Sequence, residues 1–391
     1  MKFIFKKPKE VLIQSFFLGK KLYYEGFRPN HAISLWRGGT IIGLGINEFY
    51  RMKGIFINHT SITTSTYNDN FEQKEVIIKG LEHVIKVVVP EDNLLIIDDI
   101  FDTGETINTL LNILNAKTRK NMPNLVKIAT LDCKPEKNLF KPNITYINSY
   151  NKDLWVNYPH EISDLYFSKE ENYLLEKDKI AYEILNKTSY PIEEMDYSPY
   201  HWLTPDEIFY DSLKLGVNIF YSNFQPDFLI ALWPGGVLTG IYIHEVYKYL
   251  NKLTGQNRKL PDHVAINTTS SHLSYKSNII GLQYLIDNIN YDDKILIIDT
   301  LFKSGKDINL VIDKLKSGLK RNLNHKNIRI ASLYFDKESN YTWTVKPNFT
   351  EPHFYLKETK GDIIFPHSIH KLPDPQKSLK ELMPELYEII W

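Results

Sequence analysis

Leu95-Ile96-Ile97-Asp98-Asp99-Ile100-Phe101-Asp102-Thr103-Gly104-Glu105-Thr106 is the stretch on which the fold turns. A short, wholly apolar run, Leu94 to Ile97, ends in acids, which suits a central parallel strand covered on both faces. A Thr-Gly turn then opens a helix that places Ile107, Leu110, Leu111 and Leu114 on one stripe. Backbone N–H groups at a helix N-terminus bind phosphate, and the helix dipole assists. Gly104 lets the backbone approach a ligand closely, and Thr103 and Thr106 add hydroxyl donors. Asp98 and Asp99 are oxygen donors of the kind that hold Mg²⁺, directly or through water. The plain alternative is an ordinary strand-to-helix turn with capping acids.

Further elements lie upstream and downstream of this stretch. Val11 to Tyr24 has apolar residues at helical spacing. Ala32 to Leu35 reads as a buried strand ending at Gly38-Gly39, and Ile41 to Tyr50 as the next helix. Val126 to Leu131 is another apolar strand. Strands alternating with helices predict a doubly wound α/β sheet. Ligands of such sheets bind beyond the carboxyl ends of the strands, where the Arg37 and Asp98 loops both fall.

The whole pattern occurs twice. Pro8-Lys9-Glu10-Val11, Leu18-Gly19 and Leu35-Trp36-Arg37-Gly38-Gly39 match Pro205-Asp206-Glu207-Ile208, Leu215-Gly216 and Leu232-Trp233-Pro234-Gly235-Gly236 at one offset of 197 residues. Leu95-Ile96-Ile97-Asp98 matches Leu296-Ile297-Ile298-Asp299 at an offset of 201. A period near 200 is a duplicated domain rather than a solenoid, and 391 residues suit two such domains. Leu174 to Leu185 reads as a charged helix between the copies. The boundary is set near Glu194, giving domains 1–193 and 194–391.

Lys+Arg and Asp+Glu both number 47, so there is no overall basic field of the kind nucleic-acid binders use. No nucleic-acid partner is expected. The single cysteine, Cys133, allows no intrachain disulfide and suits a reducing cytoplasm. No run of about 18 apolar residues is present, so no membrane span is expected.

The central stretch resembles the phosphoribosyl-pyrophosphate (PRPP) motif of type I phosphoribosyltransferases: four apolar residues, two acids, two apolar residues, then Asp-Thr-Gly-x-Thr. Every position matches. Trp36-Arg37-Gly38-Gly39 resembles the family's pyrophosphate loop, where a cis or strained peptide is expected. Ser65-Thr66-Tyr67 resembles its mobile closing loop. Lys134, Trp155 and Glu161 match the base-binding arrangement of xanthine–guanine and hypoxanthine–guanine phosphoribosyltransferases: a lysine for the 6-oxo group, an aromatic to stack on the purine, and an acid six positions on. Asn157 stands where the short bacterial type often has an acid facing the base, which leaves the choice of base open.

The resemblance implies two domains of type I phosphoribosyltransferase fold. It also implies transfer of 5-phosphoribosyl from PRPP to a 6-oxopurine in the first copy. Asp102 would act as general base or stabilise charge, with Asp98 and Asp99 beside it. PRPP contacts would come from Arg37, Gly38, Tyr67 and the loop Thr103, Gly104, Glu105 and Thr106. Base contacts would come from Lys134, Trp155 and the backbone near Val156, and Mg²⁺ would be held by Asp98, Asp99 and Glu161. The alternatives are a non-catalytic PRPP or nucleotide sensor, or an enzyme for an unusual base.

The second copy departs at these positions. Thr300 replaces the second acid, Lys303 stands at the Asp102 position and Pro234 at the Arg37 position. Aligning Pro366 on Pro159 puts Asp362 at the Trp155 position and Ser368 at the Glu161 position. A folded pseudoenzyme is expected there, acting as a built-in dimer partner. Homo-oligomerisation is left open.

Overall fold

The computed structural model describes residues 2–66, 76–268, 279–338 and 347–391. Tyr67, expected in the closing loop, lies outside them. The chain divides into two compact units, Met1–Asn157 with Phe365–Trp391, and Tyr158–Ile364.

The first unit runs β1 (Lys2–Phe5), α1 (Pro8–Tyr24), β2 (His31–Trp36), α2 (Gly38–Met52), β3 (Asn58–Thr66), β4 (Val76–Lys79), α3 (Glu82–Val87), β5 (Asn93–Phe101), α4 (Glu105–Thr118), β6 (Leu125–Cys133), β7 (Ile144–Ser149) and β8 (Leu154–Asn157). Six strands form one sheet in the order β4-β3-β2-β5-β6-β7, parallel except for β3 with β4. The apolar run read as a central strand is central: β5 lies between β2 and β6. Its side chains alternate between faces, as pleating requires. Leu94 and Ile96 join a cluster with Ile107, Leu110 and Leu114 of α4, while Leu95 and Ile97 are equally buried outside that cluster. Burying each such side chain contributes roughly 1.5–3 kcal/mol. A separate parallel pair joins β1 to β8.

The second unit holds α5 (Leu174–Lys177), α6 (Lys179–Leu185), β9 (Glu193–Trp202), α7 (Pro205–Phe220), β10 (Phe228–Trp233), α8 (Val237–Thr254), β11 (Asp262–Asn267), α9 (Leu282–Asn288), β12 (Ile295–Phe302), α10 (Lys306–Leu319), β13 (Ile328–Phe335) and β14 (Phe354–Ile364). Its sheet has the order β11-β10-β12-β13-β14-β9 and is parallel throughout. The doubly wound α/β class expected from the sequence is the class observed. The single charged helix expected over Leu174 to Leu185 is two helices instead. Asp178 is extended (φ −156°, ψ 98°) and caps the second through a bond from Ala181 N–H of 3.0 Å, satisfying a donor that the helix start leaves orphaned.

The compact units do not follow the repeat boundary. The segment after β8 belongs to the second unit. The segment after β14, with α11 (Pro375–Leu382) and α12 (Pro384–Ile390), belongs to the first. The reason lies in what each segment covers. In the first unit, buried Glu48 on α2 accepts the His370 N–H at 2.8 Å and faces His370 Nδ1 at 2.8 Å. In the second, buried Glu245 on α8 accepts the Ser163 N–H at 3.2 Å and its hydroxyl at 2.8 Å. The two glutamates are equivalent at the 197-residue offset, and Ser163 and His370 are equivalent when Pro159 is aligned with Pro366.

Burial holds the imidazoles of His59 and His367, both in the first unit, down to a pKa of about 3. Their folded values lie below the ordinary histidine value, so their contribution to stability is complete above about pH 6.5 and is lost as pH falls. Between pH 6.5 and 4 each is expected to remove up to about 1.4 kcal/mol per pH unit. Urea midpoints measured across that range should fall. Substituting either histidine with Asn should flatten the slope, and a pH-independent midpoint would refute this account.

Candidate functional site

Two glycines bring the pyrophosphate-type loop against the end of β5. A Cβ on Gly38 would lie 2.0 Å from Asp99 Oδ2, and one on Gly39 would lie 2.1 Å from the Ile97 carbonyl oxygen. Only hydrogen side chains permit that approach, which places the start of α2 beside the acidic end of the strand. The Trp36–Arg37 peptide is cis, as expected for this loop. Asp98 and Asp99 are partly exposed. Asp98 Oδ1 accepts the Asp99 N–H at 3.0 Å, and Asp99 Oδ1 accepts the Ile100 N–H at 2.7 Å. One oxygen of each carboxylate is thus oriented by backbone. Two adjacent hard oxygen donors at a strand end fit Mg²⁺.

The turn into α4 is tight and is held by backbone bonds. Gly104 has φ +81°, a region that side chains avoid, and a Cβ there would meet Phe101 Cζ at 2.4 Å. Thr103 Oγ1 accepts the Glu105 N–H at 3.3 Å. Leu139 N–H donates to the Thr103 carbonyl at 3.0 Å and ties the turn to the loop after β6. Thr106 sits in the first turn of α4, where backbone N–H groups lack helical partners.

Asp102 is bracketed by two ammonium groups. Lys134 Nζ stands 3.3 Å from its Oδ2, and Lys137 Nζ stands 3.2 Å from its Oδ1. Lys134 is almost fully buried and its N–H donates to the Phe101 carbonyl at 2.9 Å. Lys137 was not singled out from the sequence. Pro135–Lys137 forms a 3₁₀ turn, whose period brings residues three apart onto one side. The signal was present in Lys134-Pro135-Glu136-Lys137, since proline opens such a turn readily.

Trp155 is 40% exposed and pairs in register with Phe3 on β1, the ring centroids 6.3 Å apart. An indole that open is not filling the core, and its face suits a flat heterocycle. Val156 and Asn157 beside it are buried. Glu161 lies in the second unit, where its Oε2 accepts the Tyr158 N–H at 2.9 Å. The first unit thus carries Asp98, Asp99, Asp102, Arg37, Gly38, Thr103, Gly104, Glu105, Thr106, Lys134, Trp155 and Val156, but not Glu161.

The second unit repeats the scaffold with the charges of the Asp102–Lys134 pair inverted. A Cβ on Gly235 would lie 2.5 Å from Asp299 Oδ1 and one on Gly236 would lie 2.1 Å from the Ile298 carbonyl oxygen, and Trp233–Pro234 is cis. Gly305 has φ +63° over Phe302, and Ser304 Oγ accepts the Lys306 N–H at 3.3 Å. Asp336 N–H donates to the Phe302 carbonyl at 2.9 Å, so Asp336 occupies the place of Lys134. Lys303, in the place of Asp102, pairs with Asp362 at 3.1 Å and Asp336 at 3.5 Å. These carboxylates raise its pKa further, chiefly through the Asp362 bond. Thr300 is buried and its hydroxyl donates to the Gly235 carbonyl.

The site thus combines an α/β sheet, a cis, glycine-rich loop and an acidic strand end leading into a tight turn at the start of a helix. Solved structures similar to parts of this chain are as follows. A purine phosphoribosyltransferase from Pyrococcus horikoshii Ot3 matches at 23% identity over 41% of this chain and 95% of its own, with a TM-score of 0.33. A hypothetical protein from Neisseria gonorrhoeae with bound ppGpp matches at 24% over 45% and 96%, with a TM-score of 0.34. The xanthine–guanine–hypoxanthine phosphoribosyltransferase of Helicobacter pylori matches at 16% over 41% and 94%, with a TM-score of 0.33. No protein-family model and no curated protein sequence matches the chain. Among the described residues, no helix is long and apolar enough to cross a membrane.

Gly39→Ala tests the close approach that builds the loop. Its new methyl meets a backbone carbonyl that cannot swing aside, so overpacking is expected to cost about 1–3 kcal/mol. The urea midpoint should drop accordingly. An unchanged midpoint would show that the loop is not held as described.

Proposed function

We propose that the first unit is a Mg²⁺-dependent purine phosphoribosyltransferase that joins PRPP to a 6-oxopurine, giving a nucleoside monophosphate and pyrophosphate. One observation carries this reading. Asp102 lies between Lys134 and Lys137 at the mouth of a phosphate-type turn, in the same unit as an open Trp155.

In this reading the α4 N-terminus, with Thr103 and Thr106, binds the 5′-phosphate. Asp98 and Asp99 hold Mg²⁺, which would draw charge from the departing pyrophosphate, with Glu161 assigned to the metal by resemblance alone. Arg37 and the Gly38 N–H contact the pyrophosphate. Trp155 stacks on the purine, Lys134 donates to its 6-oxo oxygen, and the Val156 backbone meets the base edge. The base nitrogen forms its bond to the anomeric carbon as the C–O bond breaks, the electron pair leaving on pyrophosphate. The base proton passes toward Asp102. Such positioning accounts for much of the rate in this kind of transfer.

The second unit is read as a pseudoenzyme partner, making the chain an intramolecular pseudo-dimer. Pro234, Thr300 and Lys303 remove the pyrophosphate contact, the second metal acid and the base-side carboxylate together.

Nucleotide formation from PRPP and Mg²⁺ with guanine, xanthine, hypoxanthine and adenine in turn is the deciding assay. Turnover is expected with a 6-oxopurine, and Asp102→Asn should lower kcat by about 10²–10⁴. Chelating Mg²⁺ should abolish turnover. Tight PRPP or nucleotide binding without turnover of any base would move the assignment to a sensor.

A further inference from the structure

We infer that the two repeats are selective partners: each carries a C-terminal segment that closes only the other repeat's first two helices. This exchange, rather than the linker, holds the chain together. The inference rests on packing inside each compact unit and does not depend on the proposed reaction.

Both crossings occur at the same point of the repeat. One follows β8 at Tyr158-Pro159-His160 and the other follows β14 at Phe365-Pro366-His367. The Lys6 N–H donates to the Asn157 carbonyl before the first, and the Leu203 N–H donates to the Ile364 carbonyl before the second, each at 3.0 Å. Tyr158 stacks on His160 and Phe365 on His367, with centroids 5.3 and 5.4 Å apart. Each segment then delivers an N–H to the buried glutamate of a helix that belongs to the other repeat. A crossing reproduced in both copies at this level of detail is a property of the duplicated unit, not an accident of one loop.

The surfaces that receive the segments have diverged, and that divergence supplies the selectivity. In the first unit Lys9 pairs with Glu385 at 2.7 Å, Lys20 Nζ donates to the Glu388 carbonyl at 3.1 Å, and Lys53 Nζ donates to the Ile390 carbonyl at 2.5 Å. The equivalent residues of the second repeat are Asp206, Val217 and Leu250. Seated on its own repeat, the last segment would set Glu385 against Asp206 and lose both lysine donors. Like charge and unpaired carbonyls are the repulsive elements that partner discrimination needs. In the second unit Tyr210 bonds Asp178 at 3.1 Å, Tyr249 accepts from Asn172 at 2.8 Å, and Lys252 donates to the Ser163 carbonyl at 2.7 Å. The first repeat has Ile13, Met52 and Ile55 there, none of which can replace those bonds. Each segment therefore fits one docking face and not its homologue.

The test uses the full chain with a site for a sequence-specific protease inserted at Lys187–Ser189, an exposed stretch between α6 and β9. After folding and cleavage, the fragments are expected to co-elute as one species. Native mass spectrometry should find them only as a 1:1 pair. Lys20→Val with Lys53→Leu, which writes the second repeat's residues into the first, should raise the dissociation constant of the cut pair at least tenfold. The circular dichroism of the uncut chain should stay unchanged. Fragments that separate after cutting, pairs of identical fragments, swapped dimers of whole chains, or a double variant whose cut pair is as tight as the parent would each overturn the inference. Nucleotide formation by the uncut chain is scored separately, so loss of that activity and loss of pairing remain distinguishable.

Discussion

A carboxylate taken out of water must be met by donors, and in this protein two such groups receive the segments that cross between the repeats. Glu48 and Glu245 sit on the inner helices of the two units with essentially no exposure. Removing the partner of a buried charge costs about 3–5 kcal/mol. Donors reach them from segments 322 and 82 residues away in sequence: His370 for Glu48 and Ser163 for Glu245. The segments that carry these donors lie along the neighbouring helices. There they cover α1 and α7 and complete the core of each unit.

The same economy of donors appears at the strand ends. Gly38-Gly39 and Gly235-Gly236 press backbone against the carboxyl end of the central strand in both units. At Gly39 and Gly236 the contact is with a backbone carbonyl and is indifferent to side-chain chemistry, and so it survives in the copy that carries Thr300, Lys303 and Pro234. The scaffold and the chemistry are separable for that reason. Fold depends on where hydrogen replaces Cβ, and the site depends on what the adjoining side chains carry. In the second unit the charge inversion is complete enough to remain internally balanced. Lys303 is satisfied by Asp336 and Asp362 just as Asp102 is satisfied by Lys134 and Lys137. An unbalanced exchange would have left a partly buried charge without a partner.

Within the first unit, the pairing of a buried ammonium with a half-exposed carboxylate ties the loop after β5 to the loop after β6. Lys134 is held by its own backbone bond to Phe101, and Leu139 is bonded to Thr103. Two loops that come from adjacent parallel strands are therefore one rigid edge. The open face of Trp155 belongs to the separate β1–β8 pair.

Much of this was legible in the sequence, because local patterns have local causes. A short, wholly apolar run ending in acids suits a strand covered on both faces, a Thr-Gly turn after an acid opens a helix, and ordered matches at offsets of 197 and 201 residues mark a duplication. The acids and the lysine were legible together because they stand at the ends of the adjacent strands β5 and β6. Other features needed the tertiary structure. Lys137 reaches Asp102 only because a 3₁₀ turn folds it back beside Lys134. The helix read from Leu174 to Leu185 breaks because the Asp178 side chain bonds a backbone N–H better from an extended conformation. The exchange of segments has no sequence signature at all. Ser163 and His370 carry no mark of which glutamate they will meet, since either buried carboxylate would accept either N–H. Only the packing of Lys9, Lys20 and Lys53 on one side, and of Tyr210, Tyr249 and Lys252 on the other, decides between them. That choice is a property of surfaces assembled from distant parts of the chain.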